Sequence, residues 1–288
     1  MDWKITAQMS HQPPRNMNRA LTFRKLVRLI ALAIIVCFIA SIRHSAAAAQ
    51  TANDTLAVSL SATAAPTFTI SGAVTDTTGH GLAGVTMVLL SDVTGTQITF
   101  TDQSGNYVFT YAGSVSHTVR ITPSKSGYAF EPLWTAFVSS VGLTGNQTTS
   151  FVGTQSSTPS SGQVPILLTQ ENSLSALALD SVTMVSEPFR VTGTNNFSTD
   201  QRTRVSLFAA NVELGAAETS SVITAQAEDS AGQIFPLTIE YFGAVPNFGW
   251  LKQVVVKLPD QIANSVEVRV SLKLRSTAGN KVTVKVNP

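Results

Sequence analysis

The sequence predicts an all-β chain made of two tandem antiparallel β-sandwiches, and three observations lead there. First, residues 71–128 are short β-branched and apolar runs broken by Gly- and Asp-rich turns, at a spacing that suits a small sandwich. Second, Val266–Leu274 (VEVRVSLKL) alternates apolar and polar residues without a fault. Third, no stretch of ten or more residues sustains a helical period with caps.

Taken in order, Phe68 and Ile70 open a strand and Val85, Met87 and Leu89 alternate through the next. Tyr107, Phe109 and Tyr111 share one face of a third, and Val119 and Ile121 one face of a fourth. Asp102 begins a turn with Gly105 three positions on, and Asp76 with Gly79 repeats the spacing; Asp first and Gly last suits a type I turn. In the C-terminal region, strands fit Val205–Leu207–Ala209, Val222–Thr224 and Phe235–Leu237–Ile239–Tyr241. Val266, Val268, Val270, Leu272 and Leu274 are expected to face inward, with a turn at STAGN and a last strand carrying Val282, Val284 and Val286 on one face. An Ig-like sandwich is the natural reading of this half.

Between the halves, residues 154–163 (TQSSTPSSGQ) hold no large apolar side chain and read as a linker. The expected organisation is a signal peptide over 1–49, a flexible lead-in over 50–66, a first sandwich over 67–153, the linker over 154–163 and an Ig-like domain over 164–288. No repeat of solenoid or propeller period is present.

The order of turns in the first domain is specific. V-T-D-x-x-G at Val74–Gly79, G-L-A-G-V at Gly81–Val85, T-D-x-x-G-x-Y-x-F at Thr101–Phe109 and G-Y at Gly127–Tyr128 follow one another. This series resembles the carboxypeptidase regulatory-like family, and Phe130, Pro132, Asn146, Gln147, Thr148 and Phe151 match the closing strands of its bacterial form. The resemblance covers about 67–153. It implies a seven-stranded, non-catalytic, prealbumin-like module with a carbohydrate-binding-like fold. The block IEYFGAVPNFGWLKQVVVKLPDQI and the closing Gly279–Asn280–Lys281–Val282 are similar to uncharacterised C-terminal β-domains of secreted soil-bacterial proteins, which carry no known chemistry.

The address is written at the N-terminus. Arg15, Arg19, Arg24, Lys25 and Arg28 precede an apolar run that ends before Arg43, and Ala46–Ala49 follow. Basic, apolar and small-residue regions in that order make a secretory signal, with cleavage expected between Ala49 and Gln50. The run between Arg28 and Arg43 is fourteen residues, short of the ~20 that a membrane-spanning helix needs, which weighs against a retained anchor. Cys37, the single cysteine, falls inside this segment, so the exported chain has no disulfide and no thiolate. The whole chain has nineteen Lys and Arg against seventeen Asp and Glu; residues 1–49 hold seven of the bases and one of the acids. Twelve bases against sixteen acids remain, a net charge of −4, and the charge argument for nucleic acid disappears with the signal.

Chemistry-bearing motifs are few. Gly79, Gly81 and Gly84 spell G-x-G-x-x-G, but the β-branched VTMVLL that follows cannot supply the helix a dinucleotide site requires. Only His80 and His117 lie beyond residue 49, and neither G-x-S-x-G nor H-E-x-x-H occurs. Catalytic residues and cofactors are therefore expected to be absent. Asp76, Asp92 and Asp102 sit in turns; Asp76 and Asp102 are the calcium candidates, although Asp at a turn's first position bonds its own backbone without metal. Trp134 and Trp250 are the ligand candidates, set against a core role that their apolar neighbours favour. For Trp250 the core role is the stronger expectation, because Val254 and Val256 follow in the same strand.

The function expected from these readings is an exported, non-enzymatic binding or scaffold module, secreted, periplasmic or at the cell surface. Glycans are the ligand class suggested by fold analogy and other surface proteins the alternative partners; membrane contact would run only through the uncleaved signal. A purely structural spacer and an accessory component of a secreted hydrolase system are the competing readings.

Overall fold

The computed structural model describes residues 67–112, 117–139, 145–159, 162–193 and 198–287. The expected signal segment with Cys37 and the lead-in lie outside the described residues. Within them the chain is all-β: eighteen strands and two three-residue 3-10 turns, Ser220–Val222 and Asp260–Ile262.

Nine strands build the first sandwich: β1 (Thr67–Asp76), β2 (Thr86–Ser91), β3 (Gly95–Phe100), β4 (Asn106–Ala112), β5 (His117–Ser124), β6 (Tyr128–Glu131), β7 (Thr135–Ser139), β8 (Gln147–Thr148) and β9 (Phe151–Gln155). One sheet runs β4-β1-β9-β6 with β8 beside β1, and the other runs β3-β2-β5-β7. Between them Ile70, Met87, Leu89, Tyr107, Phe109, Tyr111, Val119, Ile121 and Phe151 close a core rich in aromatic rings, on the faces that alternation predicts. Tyr107 lies edge-on to Phe109 at 6.0 Å, and its hydroxyl donates to the Thr149 carbonyl at 2.7 Å, so the buried O–H is satisfied. Pairing is antiparallel except where β1 meets β8 and β9 in parallel.

The second sandwich holds β10 (Ile166–Leu167), β11 (Ala178–Asp180), β12 (Phe189–Arg190), β13 (Arg204–Ala210), β14 (Ile223–Glu228), β15 (Ile234–Val245), β16 (Phe248–Lys257), β17 (Glu267–Leu274) and β18 (Thr277–Asn287). Their order is β10-β13-β16-β15-β14-β17-β18-β12, with β11 also on β13. One strand serves both layers: Ile234–Leu237 of β15 pairs with β14, and Thr238–Val245 pairs with β16. The core between the layers is mostly aliphatic, with Val205, Leu207, Val254 and Val256 facing Val268, Val270, Leu272, Val282 and Val284.

Irregular pairing corrects several expected faces. In β15 Ile239 lies opposite Val256 and Tyr241 opposite Val255, so Glu240 is an extra residue. The bulge reverses the alternation: Phe242 turns toward the core and Tyr241 is 49% exposed. Val266 is 72% exposed because the strand begins one residue later, at Glu267. Val222 belongs to a 3-10 turn, and Ile223, Ala225 and Ala227 take the inward positions. The STAGN turn is shorter than expected, since β17 ends at Leu274 and β18 begins at Thr277, with Arg275 at φ 56° between them. The displaced Gly279–Asn280 pair sits instead at a second bulge. There the Asn280 amide accepts from Leu167 N at 2.7 Å and donates to Leu167 O at 2.9 Å, completing β10 as a strand neighbour would. Any side chain at Gly279 would meet the Pro165 carbonyl, with a Cβ only 2.2 Å from its oxygen.

Part of the outer face of the β3-β2-β5-β7 sheet, at Val88 and Ile98, is covered by the second sandwich. Val88, Ile166, Leu168, Ala210, Val245 and Leu251 form one buried apolar cluster across the two. Beside it, Thr96 N donates to Thr169 Oγ1 and Thr169 N donates to Thr96 Oγ1, each at 2.8 Å. Gly95, at φ 76°, permits this clasp: a Cβ there would lie 2.0 Å from Ser173 O and 2.2 Å from Thr169 Oγ1.

Trp250 belongs to this seam rather than to the second core. Between the pairs Ala244↔Lys252 and Val245↔Phe248, β16 carries Gly249, Trp250 and Leu251 with no residue opposite. The alternation set by Val254 and Val256 is lost there, and Trp250 packs half-buried against the seam, edge-on to Phe100 at 5.7 Å.

Candidate functional site

A cleft of 230 Å³ opens beside the seam, where the β5–β6 turn and Trp134 face the chain that enters the second sandwich and the loop after β13. The aromatic side comes from the first sandwich. Trp134 is 44% exposed just before β7, which sets aside the core role for it. The Arg120 guanidinium stands 5.8 Å from its ring centroid. Arg120 Nε and Nη2 are enclosed with no hydrogen-bond partner among the described residues, and burial pushes the guanidinium below its ordinary pKa. The ring face is thus a favourable contact for a poorly solvated cation. Tyr128 stacks on Phe130 at 6.3 Å, and Lys125 Nζ lies 5.5 Å from the Tyr128 ring while donating to Ala83 O at 2.6 Å.

The opposite side is polar and comes from the second sandwich. Gln163 is buried; its Nε2 donates to Asn211 Oδ1 at 3.3 Å and its Oε1 accepts from Glu213 N at 3.2 Å. Asn211 donates to Val164 O at 2.9 Å and adopts φ 55°, a left-handed conformation that Asn tolerates. These bonds lock both amides in place. The Glu213 carboxyl is pushed above its usual range by burial, and Lys252, 3.9 Å away, only partly offsets that. A half-buried carboxyl with its oxygens free of close partners beside fixed amides and an open indole can hold a polar ligand that has an apolar face.

The other sequence candidates lie elsewhere. Asp76 Oδ1 accepts from Thr78 N, Thr78 Oγ1 and His80 N, and the Thr78 hydroxyl leads the effects that hold its pKa below the ordinary value. Asp102 Oδ1 accepts from Ser104 N and Asn106 N, and Asp92 accepts from Thr118 N. Asp76 and Asp102 each tie their own turn and Asp92 ties its loop to β5, and among the described residues no three of His, Cys, Asp and Glu gather as a metal site would need. Asp76, Thr78 and His80 do stand in a row, with His80 Nδ1 2.7 Å from Thr78 Oγ1. The order is wrong for nucleophile activation: the hydroxyl proton is committed to Asp76, so its oxygen accepts from the imidazole. Gly79 and Gly84 take φ of 88° and 67° and β2 follows, so the G-x-G-x-x-G is turn chemistry.

No family model matches the chain, and no curated protein does. Among solved structures it is similar to 3-chlorocatechol 1,2-dioxygenase from Rhodococcus opacus 1CP, with 14% identity, 32% of this chain and 60% of that one covered, and a TM-score of 0.26. A streptococcal ancillary pilin matches with 12% identity over 77% of this chain and 59% of that one, TM-score 0.25. BcpA, the major pilin subunit of Bacillus cereus, matches with 8% identity over 77% and 70%, TM-score 0.26. The matched region thus spans about three fifths of the first two proteins' lengths. Likeness at these scores transfers neither topology nor activity.

Proposed function

We propose that this chain is an exported, non-catalytic scaffold and binding module of the extracellular space or cell envelope, its first sandwich a carboxypeptidase regulatory-like domain. The observation that carries the reading is the seam. Apolar side chains of two sandwiches are buried against each other, and a reciprocal threonine clasp sets their register. Fully burying a Val, Leu or Ile contributes about 1.5–3 kcal/mol, so a cluster with five such positions beside Ala210 stiffens the joint between modules. A stiff tandem unit suits a protein that holds a surface or a partner at a fixed distance, whether as a binder or as a plain spacer.

Calorimetry of the purified exported chain tests this. One cooperative transition is expected, and Leu168→Asp, which buries a charge in the seam, should split it into two. Two well-separated transitions in the unaltered protein would overturn the stiff unit. Export is tested separately: N-terminal sequencing should begin at or near Gln50, and an intact Met1 chain in the membrane fraction would refute cleavage.

A further inference from the structure

We propose that the cleft beside the seam binds one ring of a neutral saccharide chain, with Trp134 as the stacking plane and Glu213 as the hydroxyl-accepting group. The inference rests on the binding half of the function proposed above and gives it a site and a ligand class.

Four features of the cleft select that chemistry. Trp134 is held next to Arg120 yet remains 44% exposed, so ring area is available to an incoming apolar face. Serine and threonine residues line the same space, Thr122 and Ser124 from β5 and Ser156 and Thr158 from the segment after β9, facing the Gln163 and Asn211 amides. A ligand with many hydroxyls and one apolar side satisfies both walls; a purely apolar ligand would leave the polar wall unpaired. Charge is the third feature. Lys125 gives one of its N–H donors to Ala83 O and the Arg120 Nε and Nη2 are enclosed, so among the described lining residues the remaining Lys125 charge is matched by the Glu213 carboxylate and no cluster of cations is offered to a phosphate or a polyanion. Glu213, with only a long contact to Lys252, repels an anion and accepts from a hydroxyl. The fourth is size: 230 Å³ falls below the roughly 300–1,000 Å³ of sites that enclose drug-sized ligands, and matches one ring of a longer chain lying across the opening. The Gln163–Asn211–Glu213 bonds hold the polar wall in place before ligand arrives, which lowers the ordering cost of binding.

The aromatic wall and the amide wall belong to different sandwiches, so a ligand touching both also favours the docked arrangement and should raise the melting temperature.

The test is a titration of the purified exported chain with cellotetraose, xylotetraose, mannotetraose and chitotetraose, read by heat and by tryptophan fluorescence. Trp250→Phe is included so that Trp134 is the reporter within the sandwiches. At least one sugar should bind, shift the Trp134 emission and raise the melting temperature. Trp134→Ala and Glu213→Gln should each weaken it by about tenfold or more, equivalent to about 1.4 kcal/mol, in variants that melt within a few degrees of the parent. Absence of binding by all four, or binding that survives both variants undiminished, would overturn the site. Capture of a polyproline peptide in place of any sugar would overturn it in favour of peptide recognition. A single cooperative melt with no sugar bound would refute the saccharide site and leave the stiff scaffold standing.

Discussion

The two sandwiches bury their cores with different side chains and secure their edges by different means. The first packs Tyr107, Phe109, Tyr111, Phe130 and Phe151 between a five-stranded and a four-stranded sheet, and closes the turns that cross between them with Asp76 and Asp102 bonded to nearby backbone N–H groups. The second packs valines, leucines and alanines, and ties its strands with ion pairs. Arg204 donates to both Asp200 and Glu240, while Arg275 pairs with Glu218 and both Lys281 and Arg269 pair with Glu228. Among the described residues of the first sandwich, the one acid–base contact of this kind is His80 Nδ1 to Asp76 Oδ2 at 3.8 Å. Large rings let a small domain bury enough area with few residues, and its turns then need only local carboxylates. In the aliphatic half, charged side chains outside the core fix the strand ends. The two halves should therefore respond differently to cavities and to acid.

The largest difference should come from the cores. Phe151→Ala is expected to cost about 3–5 kcal/mol and Leu207→Ala about 2–5 kcal/mol, measured by denaturant unfolding. If the aromatic core truly concentrates stability in few residues, Phe151→Ala exceeds Leu207→Ala; the reverse order would break the comparison. Next comes the joint. Gly95→Val places a side chain against Ser173 O and Thr169 Oγ1 at a positive φ, so it should separate the unfolding of the two sandwiches without removing either core. Amide exchange that stays uniform across both in this variant would show that the clasp does not couple them.

Acid sharpens the contrast. Asp200, Glu218, Glu228 and Asp260 are all held below their ordinary pKa values, chiefly by hydrogen bonds from Arg204, Arg275, Lys281 and Arg202 respectively. In the window just below their ordinary values the unfolded chain binds more protons than the folded one, so stability falls as pH falls. The second sandwich should lose stability from about pH 5 downward, more steeply than the first, where Asp76 is held low by its own turn. Arg204→Met should flatten that acid limb, followed by circular dichroism melts at stepped pH. The smallest effect has the opposite sign. Glu213 is raised by burial, so the folded chain binds more protons than the unfolded one above its ordinary pKa, and its charged form opposes folding at neutral pH. Glu213→Gln should raise the melting temperature slightly at pH 7 and leave it unchanged well below pH 4.

Local rules account for most of the strands. Period-two alternation placed Met87 and Leu89, Tyr107 through Tyr111, and Val268 through Leu274 on their buried faces, because a pleated strand admits only two sides. Asp-to-Gly spacing located the turns at Asp76–Gly79 and Asp102–Gly105, where the carboxylate and the positive φ do their work within four residues. The apolar run Met87–Leu90 also held a hint of the seam, since a stretch apolar on both faces is covered on both. Tertiary structure decided the rest. Glu240 is an extra residue only in relation to β16, and Trp250 leaves the alternation only because three residues there face no partner. The cleft joins the β5–β6 turn, the chain at Gln163 and the loop at Asn211–Glu213, segments whose sequence neighbours give no sign of each other. Pairing offsets and inter-sheet contacts are set by the whole molecule's packing; alternation and turn chemistry are set by the few residues that form them.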